Sequence, residues 1–449
     1  MAKYLERDKK YLWHPFTQMK DWMGAPQVVI AEGRGEILTD VAGKKYIDGV
    51  SSLWCNVHGH RNKKIDAAVK RQIDAIAHST MLGLTHVKAI ELAERLIGIA
   101  PRGLTRVFYS DSGAESTEIA LKMAFQYWQH RGGEHVKKTR FVALTNAYHG
   151  DTIGAVSVGG IDLFHSIFRP LLFSAYFAPA PYCYRCPLGK DRATCKRECL
   201  KELEELLEAH AAEIAAMIIE PLVQGAGGMI MAPRGYLAEV RRLCTKYNVL
   251  MIADEVAMGF GRTGRMFACE HEGVAPDFLC LAKGITGGYL PLAATLATEE
   301  VFDRFLGAPG DHKTFFHGHT YTGNPLACAA ALAGLDVFEE EKVLENLQPK
   351  IARLSGHLER FRGLDNVGDA RQCGMVGAIE LVADRESGER FPEEKQVGVG
   401  VCLEARRRGL LIRPLGDTIV IFPPLCISNE NLDKMMNIIY DSVCEVCGD

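Results

Sequence analysis

Short apolar runs alternate with stretches in which apolar residues return every three or four positions. The runs "RVFYSDSG" (106–113), "RFVALTNAYHG" (140–150), "AAMIIEP" (215–221), "VLMIADE" (249–255) and "FLCLAKG" (278–284) each predict a strand ending in a polar or glycine-containing turn. Near-continuous apolar strands suit a mainly parallel sheet with helices on both faces. In "AESTEIALKMAFQYW", Ile119, Met123 and Tyr127 fall four apart and share one face of a predicted helix. "DVAGKKYIDG" predicts a small N-terminal hairpin. Beyond residue 330 the pattern turns to longer charged helices around "MVGAIELV" and "GLLIRPLGDTIVIFPP". The reading is an α/β chain with a large domain over 59–330 and a smaller, discontinuous α/β domain from 1–58 and 331–449.

Composition narrows the partners. With 449 residues, 47% hydrophobic and 24% charged, the chain has material for two cores. A net charge of -4 with scattered basic residues gives no footprint for nucleic acid. "MAKYLERDKKYLWHPF" lacks an apolar leader and no later stretch is long enough to span a bilayer, so the expectation is a cytoplasmic protein acting on small molecules, away from membranes. Most of the 14 cysteines are expected to be free thiols in such a compartment.

Ligands of an open parallel sheet bind beside the carboxyl ends of its strands. Five predicted strands deliver chemistry there: Ser112-Gly113-Ala114, Tyr148-His149, Glu220, Asp254-Glu255 and Lys283. Taken singly, Lys283 could reach solvent, Asp254 could cap a helix, Tyr148 could be core, and the Ser-Gly-Ala turn could bind any phosphate or none. Together they fit one aldehyde cofactor, pyridoxal 5'-phosphate. A partly desolvated Lys283 is the nucleophile for a Schiff base. The N–H groups of Gly113 and Ala114 suit its phosphate. Asp254 suits the protonated ring nitrogen, with Tyr148 on one ring face and Val256 on the other. The glycine-rich turn of a nicotinamide-binding fold is missing after the first strand.

The segments "SDSGAES", "NAYHGDT", "IIEPLVQGAGGM", "IADEVAMGFGRTG", "LAKGITGGYLPLAAT" and "HGHTYTGNPLACAAA" resemble the class III aminotransferases, pyridoxal-phosphate enzymes of fold type I. "YLWHPFTQM", "SSLWCNVHGH" and "LLIRPLGD" look like the biotin-pathway branch that converts 8-amino-7-oxononanoate to 7,8-diaminononanoate. The resemblance implies Lys283 as the Schiff-base lysine and proton shuttle, Asp254 as partner of the ring nitrogen, and Tyr148 on the cofactor and substrate. It also implies a homodimer with active sites at the subunit interface, in which His319 and Thr320 of the neighbouring subunit complete the phosphate site. Gly318 then lies beside the substrate and Arg413 holds the keto acid's carboxylate, the rival for Arg413 being an interdomain ion pair. Members using adenosylmethionine as amino donor commonly carry tyrosine at Phe16 and a Trp-Trp pair at Leu53-Trp54, so the donor implied is adenosylmethionine or, as in another branch, lysine. Another class III enzyme, acting on an omega-amino acid or a diamine, would share the cofactor residues and differ at Phe16, Trp54 and Arg413.

One motif stands outside this reading. In "YCYRCPLGKDRATCKREC", Cys183, Cys186, Cys195 and Cys199 have a spacing that could hold zinc or an iron–sulfur cluster, though such pairs also occur without metal. Cys444 and Cys447 form a second, shorter pair.

Overall fold

A computed structural model describes residues 2–448. Its main sheet has seven strands, numbered here in chain order: β1 (Leu104–Ser110), β2 (Arg140–Leu144), β3 (Tyr176–Ala178), β4 (Ile214–Ile219), β5 (Leu250–Asp254), β6 (Phe278–Leu281) and β7 (Ala293–Thr298). They lie side by side in the order β1-β7-β6-β5-β4-β2-β3. Six run parallel; β7 is antiparallel to both of its neighbours. Every residue of β4, β5 and β6 is buried, which is why these strands read as unbroken apolar runs. The parallel register places Ala253 opposite Ile219 and Asp254 opposite Cys280, so the three strands end at one edge.

Two strands escape the sequence pattern. β3 is a three-residue edge strand, and β7, "AATLAT", is made of alanine, threonine and leucine with none of the bulky β-branched or aromatic residues that mark its neighbours. Burial between two partners overrides that weak preference, and β7 is almost wholly buried.

Helix Gly113–Arg131 follows β1 after a two-residue turn. Ser112 caps it, accepting from Glu115 N while Glu115 accepts from Ser112 N, a reciprocal capping box. Gly132 ends it at φ 71°. Ile119 and Tyr127 are buried and Met123 packs against the same cluster, as their spacing predicts.

The predicted hairpin forms from Ile37–Asp40 and Lys45–Asp48. With Ile30–Arg34 and Leu410–Leu411 it makes a four-stranded sheet, the last strand pairing in parallel with Lys45–Asp48. "MVGAIELV" supplies Val376–Leu381, the centre of a second, antiparallel sheet. "GLLIRPLGDTIVIFPP" is divided between both sheets as Leu410–Leu411, Pro414–Leu415 and Thr418–Ile421. Among the described residues no helix is long and apolar enough to cross a membrane, and the cysteines other than Cys444 and Cys447 are free thiols.

Candidate active site

At the carboxyl edge of the main sheet lies a cleft of about 700 Å³. Lys283, Asp254, Tyr148, Gly113, Ala114, Val256 and Trp54 all line it. The expectation that the strand ends converge is met.

Lys283 stands two residues beyond β6 and opens a single 3-10 turn, with a left-handed φ of 44°. That conformation is costly for a residue with a side chain, of order 1–3 kcal/mol. The residue is half-buried and lines the cleft, its ammonium 5.3 Å from the centre of the Trp54 ring. Burial pushes the ammonium below its ordinary pKa against the opposing pull of Asp254, Glu220 and Cys55. The result is a lysine more easily made neutral, which a nucleophile requires.

Asp254, the last residue of β5, is 5% exposed. Its Oδ2 lies 2.7 Å from His149 Nδ1, and its Oδ1 accepts from Val256 N at 3.0 Å. His149 is buried as well, and among the described residues its Nε2 has no hydrogen-bond partner. Glu220, just past β4, accepts from Tyr148 N (3.1 Å) and Gly225 N (2.7 Å). Burial raises its carboxyl to about 7 despite those bonds. Tyr148 donates to Asp151 Oδ2 at 2.7 Å, and its ring lies parallel to that of His165. Burial and Asp151 raise its phenol well above the usual range.

The capping box engages Ser112 and Glu115 but leaves Gly113 N–H and Ala114 N–H without an intrahelical acceptor, at the positive end of a 19-residue helix. The backbones are close here. A Cβ at Gly113 would lie 2.6 Å from Val256 Cγ1, and one at Gly150, which has φ +124°, would lie 2.3 Å from Ala114 Cβ. A helix start ringed by close backbone, a lowered lysine and a buried carboxylate fit the phosphate, aldehyde and ring nitrogen of pyridoxal 5'-phosphate in turn.

Trp54 is held by an irregular turn in which Ser51, Ser52 and Trp54 all have positive φ. Ser51 Oγ donates to Phe422 O (2.7 Å), Ser52 N donates to the Asp48 carboxylate (2.8 Å), and Trp54 stacks on Phe422 at 5.5 Å. These contacts hold the strained turn in place.

The remaining expected residues do not line the cleft. Phe16 is 55% exposed and meets Phe164 at 5.4 Å and Tyr148 at 6.5 Å, both edge to face. Leu53, Gly318, Thr320 and Arg413 are exposed. His319 Nδ1 lies 3.5 Å from Glu115 Oε2 and 3.9 Å from Asp111 Oδ2 of its own chain, beside the helix start. Two residues acquire weight only here, His149 beneath Asp254 and Glu220 beneath Tyr148. Both stand at strand ends in the sequence; their pairing is visible only in three dimensions.

Residues 19–443 match the family described as Aminotransferase class-III. An adenosylmethionine-8-amino-7-oxononanoate aminotransferase of Geobacter sulfurreducens is 57% identical over 442 residues, 98% of this chain and 97% of that one. The crystal structure of the adenosylmethionine-8-amino-7-oxononanoate aminotransferase from Methanocaldococcus jannaschii superposes with a TM-score of 0.94 at 45% identity, over 99% of both chains. An amine transaminase from an uncultivated Pseudomonas species, solved in its PLP-bound form, gives 0.92 at 38% identity over 97% of this chain and 98% of that one. With the cleft's donor set and a match along nearly its whole length, this chain belongs to the class III aminotransferases, enzymes that work with pyridoxal 5'-phosphate.

Proposed function

We propose that the chain transfers an amino group to 8-amino-7-oxononanoate, giving 7,8-diaminononanoate for biotin synthesis, as a cytoplasmic homodimer. The observation that carries the substrate is the near full-length identity, 57% and 56% in the first two cases, to relatives named for that reaction. A feature of the chain agrees. Among the described residues Arg413 has no carboxylate ion-pair partner, which disfavours its reading as an interdomain ion pair and leaves a guanidinium for a substrate carboxylate.

Bound pyridoxal 5'-phosphate supplies a carbonyl that accepts an amine and a ring that withdraws electrons. Lys283 Nζ holds the cofactor and then moves a proton at the carbon bearing the amine. Asp254 keeps the ring nitrogen protonated, and His149 fixes the orientation of Asp254. Gly113 and Ala114 N–H bind the phosphate, and Tyr148 and Val256 bound the two ring faces. Trp54 walls the cleft next to Lys283, with Phe16, Leu53 and Gly318 toward its mouth. His319 and Thr320 serve the partner's phosphate in this proposal. Phe316 and Tyr321, 83% and 58% exposed on the same segment, supply apolar surface for such a contact. The discontinuous small domain (1–58 with 331–449) belongs to the same reading, supported by the pairing of Lys45–Asp48 with Leu410–Leu411.

The donor is adenosylmethionine or lysine. The relatives' names support the first; Leu53 and Phe16, which remove a large wall and a hydroxyl from the mouth, support the second. Absorbance spectra of the cofactor-loaded protein with 7,8-diaminononanoate, adenosylmethionine and lysine added separately test both points. Diaminononanoate is expected to bleach the visible cofactor band, and whichever donor also does so is the donor. A band that diaminononanoate leaves unchanged while omega-amino acids or diamines bleach it overturns the substrate and leaves a class III aminotransferase of other specificity.

A further inference from the structure

Between β3 and helix Glu198–His210 the chain runs through residues 179–197 without a strand or helix. Ordered connections of this length are uncommon and need some other means of holding their shape. One end of the connection is anchored. Tyr182 and Arg185 both bond the Glu380 carboxylate, which also accepts from Arg371 Nη1 at 2.9 Å, and Arg371 in turn donates to Gly228 O and Met229 O. The other end carries sulfur, at Cys195 and Cys199.

Cys183, Cys186, Cys195 and Cys199 all line a single cavity of about 570 Å³, well away from the cleft. The first three lie on the irregular segment, and Cys199 sits in the first turn of the following helix. Gly189 N donates to Cys186 O (3.0 Å) and closes a turn behind the first pair. At the second pair Arg197 N donates to Cys195 Sγ at 3.2 Å, the kind of backbone N–H bond that supports a metal-bound thiolate, while the thiol of Cys195 reaches Glu198 Oε2 at 3.0 Å. Lys190, Arg192 and Arg197 line the same cavity. Cations so placed complement the two negative charges of a divalent ion held by four thiolates.

We infer that these four cysteines bind one zinc ion as a structural tetrathiolate that fastens the segment 183–196 to the start of helix Glu198–His210. All four cysteines line the cavity, but among the described residues no three of the four sulfurs come within 4.8 Å of one another, so binding requires them to draw together. Zn–S bonds of roughly 2.3 Å require sulfurs roughly 3.8 Å apart. The irregular backbone that carries three of the ligands can supply that movement. Binding releases the four thiol protons to solvent, with no change of oxidation state, and the affinity falls as the pH is lowered. The ion lies outside the cleft and takes no part in transamination.

The test is the zinc content, by plasma mass spectrometry, of the full-length cofactor-loaded enzyme purified under reducing conditions without chelator. About one zinc per chain is expected. Cobalt(II) added to the reduced, metal-stripped enzyme should give the visible bands of a tetrahedral tetrathiolate, clear of the cofactor band. The pair Cys183→Ser and Cys186→Ser should lose the zinc and lower the unfolding temperature, whereas Cys444→Ser with Cys447→Ser should keep the zinc. Whether or not the first pair folds, the wild-type enzyme decides on its own: no zinc together with no cobalt bands overturns the inference. Iron–sulfur absorbance, a disulfide among the four in the intact mass, or zinc lost only with the tail pair overturns it equally.

Discussion

Asp254, Glu220 and Lys283 stand at or just past the ends of three adjacent strands in which every residue is buried. Phe16, Leu53, Gly318, Thr320 and Arg413, which the proposed function sets toward the substrate or the partner's site, lie outside the cleft lining and are exposed. The inner end is thus positioned by a sheet that cannot shift without disrupting a core, whereas the residues proposed for the mouth are carried by exposed segments. Pre-organisation of this kind concentrates the rate at the inner end and leaves selectivity to the outer end. A mutation at each end should therefore fail differently, the inner in turnover and the outer in substrate affinity.

The largest effect is expected from Lys283→Ala. In its proposed role the amine supplies both cofactor attachment and the proton shuttle, so turnover should fall by about 10⁴-fold or more. The visible band of lysine-bound cofactor should vanish while the far-ultraviolet dichroism stays native. A variant that still shows a borohydride-reducible lysine adduct would remove Lys283 from its role.

Glu220→Gln reads the electrostatics of the inner end while leaving the lysine side chain in place. Glu220 has its carboxyl raised from 4.5 to about 7 in the folded protein. A raised acid stabilises the fold fully below its unfolded value, and that contribution is lost as the pH climbs through the folded value. Over the window from about 4.5 to about 7 the shift corresponds to roughly 3 kcal/mol. Cofactor-free protein should show a fall in unfolding free energy across that window, and Glu220→Gln should flatten it. An unchanged slope would mean that Glu220 is ionised in the folded state at lower pH than its burial implies.

At the mouth, Arg413→Ala should raise KM for the keto acid by roughly 10- to 100-fold, the loss of one charge-assisted contact of about 1.5–3 kcal/mol. The cofactor spectrum should not change. Equal KM with wild type, or a loss of cofactor, would return Arg413 to a structural role.

The difference between the ends also explains what the sequence made legible. β4, β5 and β6 are covered on both faces, so their apolar runs are continuous and each ends abruptly at an acid or at the lysine turn; position along the chain was enough to place Glu220, Asp254 and Lys283 at one edge. β7 was not legible because half of it is alanine, which carries little strand signal, and its place between β1 and β6 is set by pairing that no local pattern reports. The bond of His149 to Asp254 joins residues 105 positions apart and belongs to the same class. At the mouth even correct residue identities leave geometry open. The turn at Ser51–Trp54 has three left-handed residues without a glycine, held by Asp48 and by Phe422 O from the far end of the chain, and nothing in "SSLWCN" announces it.

The smallest effect separates the two ends most finely. Phe16 touches Tyr148 and Phe164 edge to face from an exposed position, and such a pair is worth about 0.5–1.5 kcal/mol beyond area burial. If Phe16 belongs to the mouth, Phe16→Ala should raise KM for the amino donor by roughly 2- to 10-fold and leave kcat, keto-acid KM and cofactor affinity unchanged. Phe16→Tyr restores the ring and adds a hydroxyl, so it should return the donor KM to the wild-type value or below, with the larger gain for whichever donor carries an acceptor within reach of that hydroxyl. Should Phe16→Ala instead weaken cofactor binding by the same factor, the aromatic contact runs through Tyr148 to the ring, and Phe16 belongs to the inner end despite its exposure.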